Sequence, residues 1–436
     1  MKKILSVIFC VVLLVSALSI TTAATEAKIF GSFTYKIENN EVTITKCEQN
    51  VRDTVEIPAE IENLPVTAIW RRAFANCNLI QSIIIPNTVK SIGLSAFDNC
   101  QNLKNISIPE GVATLEYSTF DSCSSLESIT IPDSVTIIGS NVFSNCSSLK
   151  NITLSKNIEY IAPYVFYGCK KLDNVVIPKK VKTIGASSFK GCSSLKSIEI
   201  PDGVEIIYEK AFSGCGLESI TLPKSLKTIE RQVFKNCRKL KEFNGGENIT
   251  AIGTAVFANC ESLEEIALPQ KINSIEWTTF SCCENLKKIT IPKSVRFISK
   301  GAFEMCTALT EVNFGGSKSD KEKMLINSDN DDLLSAKWNF ALTSTKKPVA
   351  SKNESTASKV ESVTESTVSS ESENTVSTDT ESTLAPENET EDSDMKKPVV
   401  KEQNNKWIVW LFIGAAALGV VSGFLANIIY RKKKSK

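Results

Sequence analysis

Phenylalanine recurs at one fixed spacing through the middle of the 436-residue chain, and this period constrains the possible folds more than any other feature. Successive members lie 23 residues apart, except that Phe234 follows Phe212 after 22. A period of about 20–50 residues predicts small units that cannot bury their own apolar faces and therefore stack into one continuous core. The eleven members of this phenylalanine column are Phe74, Phe97, Phe120, Phe143, Phe166, Phe189, Phe212, Phe234, Phe257, Phe280 and Phe303.

The other apolar positions of the repeat have the same period and predict the elements of each unit. Ile or Leu stands five residues before each column phenylalanine, Val, Ile or Leu stands eight before it, and Cys stands three after it. An Ile-x-Ile-Pro segment usually follows, as at Ile129 to Pro132, and its alternation predicts a short strand that ends at the proline. The Val-x-x-Ile piece predicts a second extended segment, and the three-residue spacing of Phe-x-x-Cys-x-x-Leu predicts a helical or 3₁₀ turn.

These elements predict an α/β repeat solenoid, made mostly of short parallel strands joined by helical or 3₁₀ turns and capped at both ends. Eleven units of 22–23 residues occupy residues 66–314. Residues 25–65 are expected to form an N-terminal cap hairpin and a half repeat, and residues 315–342 a polar, partly helical C-terminal cap. After Phe243 the chain reads Asn-Gly-Gly where a strand and a proline are expected, which predicts a distorted coil there.

The repeat resembles the BspA-like variant of the leucine-rich repeat, which is found on microbial surfaces. The residues that carry the resemblance follow the pattern Phe-x-x-Cys-x-x-Leu-x-x-Ile-x-Ile-Pro-x-x-Val-x-x-Ile-Gly. Residues 120–139 match it at every position, and residues 166–185 differ only at Val175. The resemblance extends over about residues 33–340 and implies a leucine-rich repeat solenoid that acts as a cell-surface adhesin or interaction protein. It implies no particular ligand, because such repeats bind many.

Both ends of the chain are typical of a membrane-anchored surface protein. Residues 1–24 combine two lysines, an apolar run and small residues, which predicts a secretory signal peptide, with an uncleaved anchor as the alternative. Residues 407–430 are 24 mostly apolar residues, enough at about 1.5 Å each for a transmembrane helix. The basic residues 431–436 predict a cytoplasmic tail. We therefore expect a single-pass protein at the cell surface, with its N-terminal ectodomain outside.

A segment of very different composition, residues 343–406, separates the repeats from the apolar helix. Between residues 351 and 394, 19 of 44 residues are Ser or Thr, 12 are acidic and none is aromatic. Such a composition buries too little apolar surface to offset the entropy of ordering the chain. We predict a disordered stalk rich in Ser, Thr and Glu.

The composition also excludes several kinds of chemistry. The chain contains no histidine, which excludes Ser-His-Asp and Cys-His nucleophiles and imidazole-ligated zinc. With 50 Lys or Arg against 49 Asp or Glu, it is not a generally basic nucleic-acid-binding protein. Phosphate-binding glycine loops, Cys-x-x-Cys pairs and calcium loops are absent from the sequence. We predict that the protein is not an enzyme, needs no cofactor or metal, and does not bind nucleic acid.

Cysteine occupies one repeat position in eleven of its 14 occurrences. Equivalent side chains in stacked units lie about 4.8 Å apart with parallel Cβ vectors, whereas a disulfide needs converging Cβ atoms about 3.8 Å apart. We therefore predict buried, unpaired thiols that act as small hydrophobic side chains. The members of this cysteine column are Cys77, Cys100, Cys123, Cys146, Cys169, Cys192, Cys215, Cys237, Cys260, Cys283 and Cys306.

The outward side of the Ile-x-Ile strands is the first candidate for a ligand-binding surface. Solenoids commonly bind ligands on the concave face that such strands line, although small polar residues also simply solvate a sheet. This surface favours an adhesin or protein-interaction module whose partner is an extracellular protein of a host or neighbouring cell. The candidate residues are Asn105, Ser107, Ser128, Thr130, Asn151, Thr153, Asn174, Ser197, Glu199 and Thr221.

A second candidate surface is the rim just before each column phenylalanine, where aromatic residues recur. Exposed aromatic rings anchor proteins or stack on sugars, so this rim favours a carbohydrate-binding module with a glycan partner, unless each ring folds over its own loop. A structural cell-envelope protein without a specific ligand is the third hypothesis. The rim candidates are Trp70, Tyr117, Tyr164, Tyr208 and Trp277.

Overall fold

A computed structural model of the protein describes residues 27–341. The predicted signal peptide (1–24), stalk (343–406), transmembrane helix (407–430) and cytoplasmic tail (431–436) lie outside the described residues. Between residues 27 and 341 no helix has the length and apolar character that crossing a bilayer requires.

Most Ile-x-Ile segments form short strands that stack in parallel from coil to coil, and we call them the front strands; segment 198–200 contributes only an isolated bridge, from Glu199 to Thr221. Each residue pairs with its equivalent in the next coil, as Ser128 does with Asn151 and Asn151 with Asn174. The ladder is grouped into sheets of three, three, two and four strands. The front strands are Asp53–Glu56, Ile80–Ile84, Asn105–Ile106, Ser128–Thr130, Asn151–Thr153, Asn174–Val175, Ser219–Leu222, Glu242–Gly245, Glu265–Ala267, Lys288–Ile291, Glu311–Phe314 and Lys337–Phe340.

The Val-x-x-Ile segments form a second column of short parallel strands. At its N-terminal end the column continues into an antiparallel hairpin, Phe33–Glu38 with Glu41–Cys47, flanked by Lys28–Phe30, and Glu60–Ile61 pairs with the first strand of the column. The second strands are Leu64–Ile69, Ser91–Ile92, Thr114–Leu115, Ile137–Ile138, Tyr160–Ile161, Thr183–Ile184, Ile206–Ile207, Thr228–Ile229, Ala251–Ile252, Ser274–Ile275, Phe297–Ile298 and Leu325–Ile326.

The segments around each Phe-x-x-Cys are not helical, so the prediction of helical or 3₁₀ turns is wrong. Two residues of every coil have positive φ, two before the column phenylalanine and one before the column cysteine, as at Arg72 (58°) and Asn76 (63°). A residue with positive φ cannot continue a right-handed helix, and in these turns its amide donates to the neighbouring coil instead. Asn76 N–H donates to Asp98 O at 2.9 Å, while Cys77 N–H donates to Phe74 O at 3.1 Å within its own turn. The result is a β-solenoid rather than an α/β fold.

The described residues contain two short helices, and both follow the last repeat. Lys318–Glu322 precedes the last second strand, Leu325–Ile326, and Asp331–Ser335 precedes the last front strand, Lys337–Phe340. Residues 315–341 therefore add one strand to each of the two columns. Ser317 caps the first helix, because its hydroxyl accepts the Asp320 N–H.

The column phenylalanines form the centre of the core, which confirms their predicted inward position. All eleven are fully buried, and each ring lies 5.2–5.9 Å from the ring in the next coil. Phe166 contacts Phe143 at 5.9 Å and Phe189 at 5.2 Å, as predicted. Each ring therefore belongs to two coil interfaces, which is what makes the stack one continuous core.

The coil predicted to be distorted keeps its front strand. Phe243 pairs in register with Ile220 of the preceding coil and is buried, with its ring edge-on at 4.9 Å from Phe257. The larger ring takes the inward place that Ile has in other coils, and Gly246, at φ 70°, makes the turn where proline is missing. The irregularity is therefore confined to the glycine turn.

Candidate functional site

The front strands bring the predicted ligand-binding residues together on one surface, which we call the front face. All ten are exposed, and backbone pairing sets Thr130 beside Thr153 and Glu199 beside Thr221. Side chains on one face of adjacent parallel strands lie about 4.8 Å apart. The front face therefore presents two columns of side chains in register along the solenoid.

Two shallow concavities lie on the front face. The larger has a volume of about 560 Å³ and is lined by residues from three successive coils, including Asn105, Ser128 and Thr130. The smaller, of about 250 Å³, shares Ser128 and Thr130 with the first and extends to Asn151 and Thr153. Its nine lining residues come from consecutive front strands between Ser128 and Val176. Seven of the ten predicted candidates therefore line the concavities, whereas Ser197, Glu199 and Thr221 lie on the front face beyond them.

The sequence-based candidates omit two apolar side chains on the same face. Ile84 is 47 % exposed and lines the larger concavity, while Val176 is 74 % exposed and lines the smaller one. Both occupy the outward strand position that Ser107, Thr130 and Thr153 occupy in other coils. Repeat alignment was the signal that could have found them, because the position, rather than the residue type, decides which way a strand side chain points.

The outward strand positions of the front face carry no charge over the stretch from Ser82 to Ser197. Outward positions from Ser82 to Ser197 carry hydroxyl, amide or aliphatic side chains, whereas Glu56, beside Ile84 on the first front strand, and Glu199 carry charge on either side of this stretch. Towards the C-terminal end charges of both signs appear, and Lys288 Nζ lies 3.7 Å from Glu265 Oε2. This uncharged stretch supplies most of the lining of both concavities, with Glu110 as the one charged lining residue, and it suits hydrogen bonding and apolar contact better than ion pairing.

A ladder of alternating charges borders the front face, two residues before the first inward apolar residue of each front strand. Neighbouring members form ion pairs, including Lys150 with Asp173 at 3.9 Å and Lys287 with Glu264 at 2.7 Å. The Lys287 ammonium accordingly lowers the pKa of the Glu264 carboxyl. A coil that paired with the next coil but one, instead of with its neighbour, would set like charges side by side. The alternation therefore favours the native order of pairing. The ladder comprises Lys104, Glu127, Lys150, Asp173, Lys196, Glu218, Lys241, Glu264 and Lys287.

The rim aromatics do not come together as the front-face residues do. Trp70, Tyr117 and Trp277 are 46–51 % exposed, whereas Tyr164 and Tyr208 are half-buried. They occupy three different positions relative to the column phenylalanine and lie two or three coils apart, which is about 10 Å or more. Among the described residues none of the five rings stacks on another. The rim therefore offers separate rings rather than one continuous platform.

The cysteine column has a structural role that residue spacing did not indicate. From Cys100 to Cys306, each column thiol donates a hydrogen bond to the carbonyl oxygen of the phenylalanine 25 or 26 residues earlier, at 3.0–3.3 Å. Burial raises the pKa of the Cys283 thiol to about 12. Within residues 27–341 no group of three or more metal-binding side chains comes together. The column therefore joins coils through weak S–H···O bonds.

These thiols should be inaccessible in the folded protein and reactive once it unfolds. Purified full-length protein, unfolded without reductant, should react with about ten or more equivalents of an alkylating agent, because the thiols of the column are unpaired. The folded protein should react with far fewer, mainly at the half-exposed Cys282. Two or fewer reactive thiols after unfolding would instead indicate a disulfide framework.

A family model describes most of the repeat region. The BspA type leucine rich repeat region, a family unit of six repeat copies, matches residues 67–196 and 182–310. No functionally curated protein matches the chain.

Solved structures of bacterial proteins are similar to the chain. A leucine-rich repeat protein from Bacteroides ovatus shares 26 % identity, with 72 % of this chain and 100 % of that one covered and a TM-score of 0.44. A leucine rich cell surface protein from Faecalibacterium prausnitzii shares 30 % identity, with 69 % and 97 % covered and a TM-score of 0.43. The leucine rich repeat protein of T. pallidum shares 27 % identity, with 55 % and 91 % covered and a TM-score of 0.33. With the family model matching more than half of its length, the chain belongs to the BspA-type leucine-rich repeat family.

Proposed function

We propose that the protein is a cell-surface adhesin that binds an extracellular protein of a host or neighbouring cell through its front face. The observation that carries the proposal is the in-register array of exposed hydroxyl and amide side chains around the two concavities. In the same proposal, residues 343–406 act as a stalk and residues 407–430 anchor the protein in the membrane.

The geometry of the front face favours recognition of a protein surface. Its side chains are short and project from hydrogen-bonded strands, so little conformational entropy is lost when a partner orders them. Ile84 and Val176 supply apolar contacts within a polar surround, which is the usual arrangement of an interface centre and its rim. Such an array binds by shape and hydrogen bonding, and we therefore propose a binding protein rather than an enzyme.

Bulky charged substitutions in the smaller concavity should weaken this binding strongly. Full-length protein is first tested against a panel of extracellular-matrix proteins and a panel of glycans. For any matrix protein that binds, the variant T130R/T153R should weaken binding by about 30-fold or more, equivalent to about 2 kcal/mol, because both side chains lie at the centre of the face. The matched control Thr136→Arg changes an exposed threonine of the same coil away from the front strands and should bind like wild type.

Other outcomes of the same screen separate the competing hypotheses. Wild-type binding by T130R/T153R, together with loss of glycan binding when Tyr117 and Trp277 are replaced by Ala, would favour the carbohydrate-binding module. Binding to neither panel would contradict the adhesin and favour a structural cell-envelope protein.

A further inference from the structure

Charge is distributed unevenly over the turn face, which we define in each coil as the residues from four before the column phenylalanine to two after the column cysteine. In coils 2–4 (Phe97 to Phe143) the turn face has no Lys or Arg and three acidic residues. In coils 5–8 (Phe166 to Phe234) it has eight Lys or Arg and two acidic residues. In coils 9–11 it has one Lys and four acidic residues. A basic patch four coils long is therefore bounded at both ends by acidic coils.

Most cations of the basic patch form no ion pair with a described carboxylate. Arg231 pairs with Glu209, and Arg238 Nη1 lies 3.2 Å from Glu261 Oε1. The other six are exposed or half-buried and form no ion pair within residues 27–341. They are Lys170, Lys171, Lys190, Lys210, Lys235 and Lys239.

Two lysines of the patch share one column, and one of them adjoins a pair of aromatic rings. Backbone hydrogen bonds between coils set Lys190 and Lys235 in one column, two coils or about 10 Å apart. Lys190 Nζ lies 5.6 Å from the centroid of the Tyr167 ring, and that ring lies 6.0 Å from the Tyr164 ring. The patch thus presents separated positive charges beside a pair of aromatic rings.

Part of the patch is bare backbone, because three successive coils have glycine before the column cysteine. Gly168, Gly191 and Gly214 have φ values of 70°, 80° and 69°, at a position where the other coils have Asn, Ser, Cys or Met. Their backbone carries no side chain between Lys190 and Lys170, so an extended molecule can approach it closely. The charge defines the patch, and the glycines shape it.

We propose that the basic patch binds an acidic polysaccharide, a chain of sugar rings that bear carboxylate, sulfate or phosphate groups. Lysine ammonium groups on flexible stems attract anions without demanding the fixed geometry that arginine requires. The faces of Tyr164 and Tyr167 are suited to stacking on sugar rings, which an acidic peptide lacks. Four coils span about 14 Å, so the patch accommodates a few sugar residues. This activity is additional to the front-face function and uses different residues.

Binding to two polyanionic probes tests the proposal. Heparin serves as the sulfated probe, polygalacturonate as the carboxylated one and neutral dextran as the uncharged control, with purified full-length protein. Heparin, polygalacturonate or both should bind, and dextran should not. The variant K171Q/K190Q/K235Q should weaken that binding about tenfold, because it removes three exposed charges that each contribute a small part of the attraction to the anionic chain.

A matched variant distinguishes a local site from the overall charge. K90Q/K179Q/K271Q removes three exposed lysines outside the turn face and should bind the probe like wild type. Equal loss in the two triple variants, or no binding by wild type, would overturn the proposal. T130R/T153R should keep its probe binding, so a failure here is distinct from a failure of the front-face proposal.

Two further variants test where the probe lies. Gly191→Asn retains all charges and should weaken binding, because its side chain would cover the backbone that the polysaccharide approaches. The fold accommodates the change, since a Cβ at Gly191 meets its nearest atoms at 3.8 Å and Asn145 has the same type of backbone conformation, with φ 56°. Wild-type binding by this variant would contradict the proposed position. Residues 351–394, with 12 acidic and two basic residues, are the competing occupant within the chain. Deleting them should leave the affinity within about threefold, whereas a tenfold gain would show that they occupy the patch and would overturn the proposal.

Discussion

Raising the pH from about 8.5 to about 9.5 should remove on the order of 10 kcal/mol from the free energy of unfolding, because eight buried thiols resist ionisation only in the folded state. Burial raises the pKa of each above its ordinary value of about 8.5. The folded state therefore holds these protons more tightly, so the stabilisation is complete below about pH 8.5 and is lost as the pH rises towards the folded values. The eight are Cys123, Cys146, Cys169, Cys192, Cys237, Cys260, Cys283 and Cys306.

Denaturant melts of the full-length protein at pH 8.5 and 9.5, with a reductant present, measure this loss. The control is Cys169→Ala, which removes one titrating thiol and should reduce the loss between these two pH values by about 1 kcal/mol. An unfolding free energy that is independent of pH over this range, or a variant with the wild-type slope, would contradict the assignment of the column as buried, protonated thiols.

Phe166→Ala should destabilise the repeat domain by about 3–5 kcal/mol, from lost transfer energy and the cavity left behind. The ring is fully buried and lies between Phe143 and Phe189, so its removal weakens two coil interfaces. The central coils should consequently loosen before the ends do. Phe166→Leu keeps the site apolar and much of its volume, and it should cost distinctly less.

The adjacent residue provides the matched control. Tyr167 is only half-buried on the turn face, where its ring lies 6.0 Å from Tyr164, so Tyr167→Ala should change the unfolding free energy by less than about 1 kcal/mol. Denaturant melts of the three single variants compare the costs. If Tyr167→Ala is as damaging as Phe166→Ala, the division into inward and outward positions is wrong, and the surfaces derived from it are wrong too.

The sequence was sufficient to predict the stacked coils, the inward phenylalanines and the exposed front face, because a strict period forces equivalent residues into equivalent environments. It was insufficient for the turns, since a spacing of three suits both a 3₁₀ helix and consecutive tight turns. What decides between them is the backbone at positions such as Asn99 and Gly168, both with positive φ. Asn and Gly tolerate that conformation, so the residue types were compatible with the turns without requiring them.

Features that depend on contacts between coils were the hardest to predict. The hydrogen bond from Cys169 Sγ to Phe143 O, at 3.1 Å, joins residues 26 apart whose distance depends on the rise and twist of the stack. The strand at Phe243 likewise forms because Ile220 and its neighbours supply a paired edge, although its own sequence lacks the proline. The local sequence pattern indicates which backbone structure a segment prefers, and pairing with the neighbouring coil decides whether that structure forms.

Hydroxyl-radical footprinting of the complex with a matrix protein that binds is the most direct test of the front face as the ligand-binding surface. Ile84 and Val176 are exposed on that face, whereas Trp277 lies on the turn face, and all three react with the radical when accessible to solvent. We predict that the bound partner protects Ile84 and Val176 and leaves Trp277 as reactive as in the free protein. Protection of Trp277 with unchanged reactivity at Ile84 and Val176 would contradict the proposed binding surface.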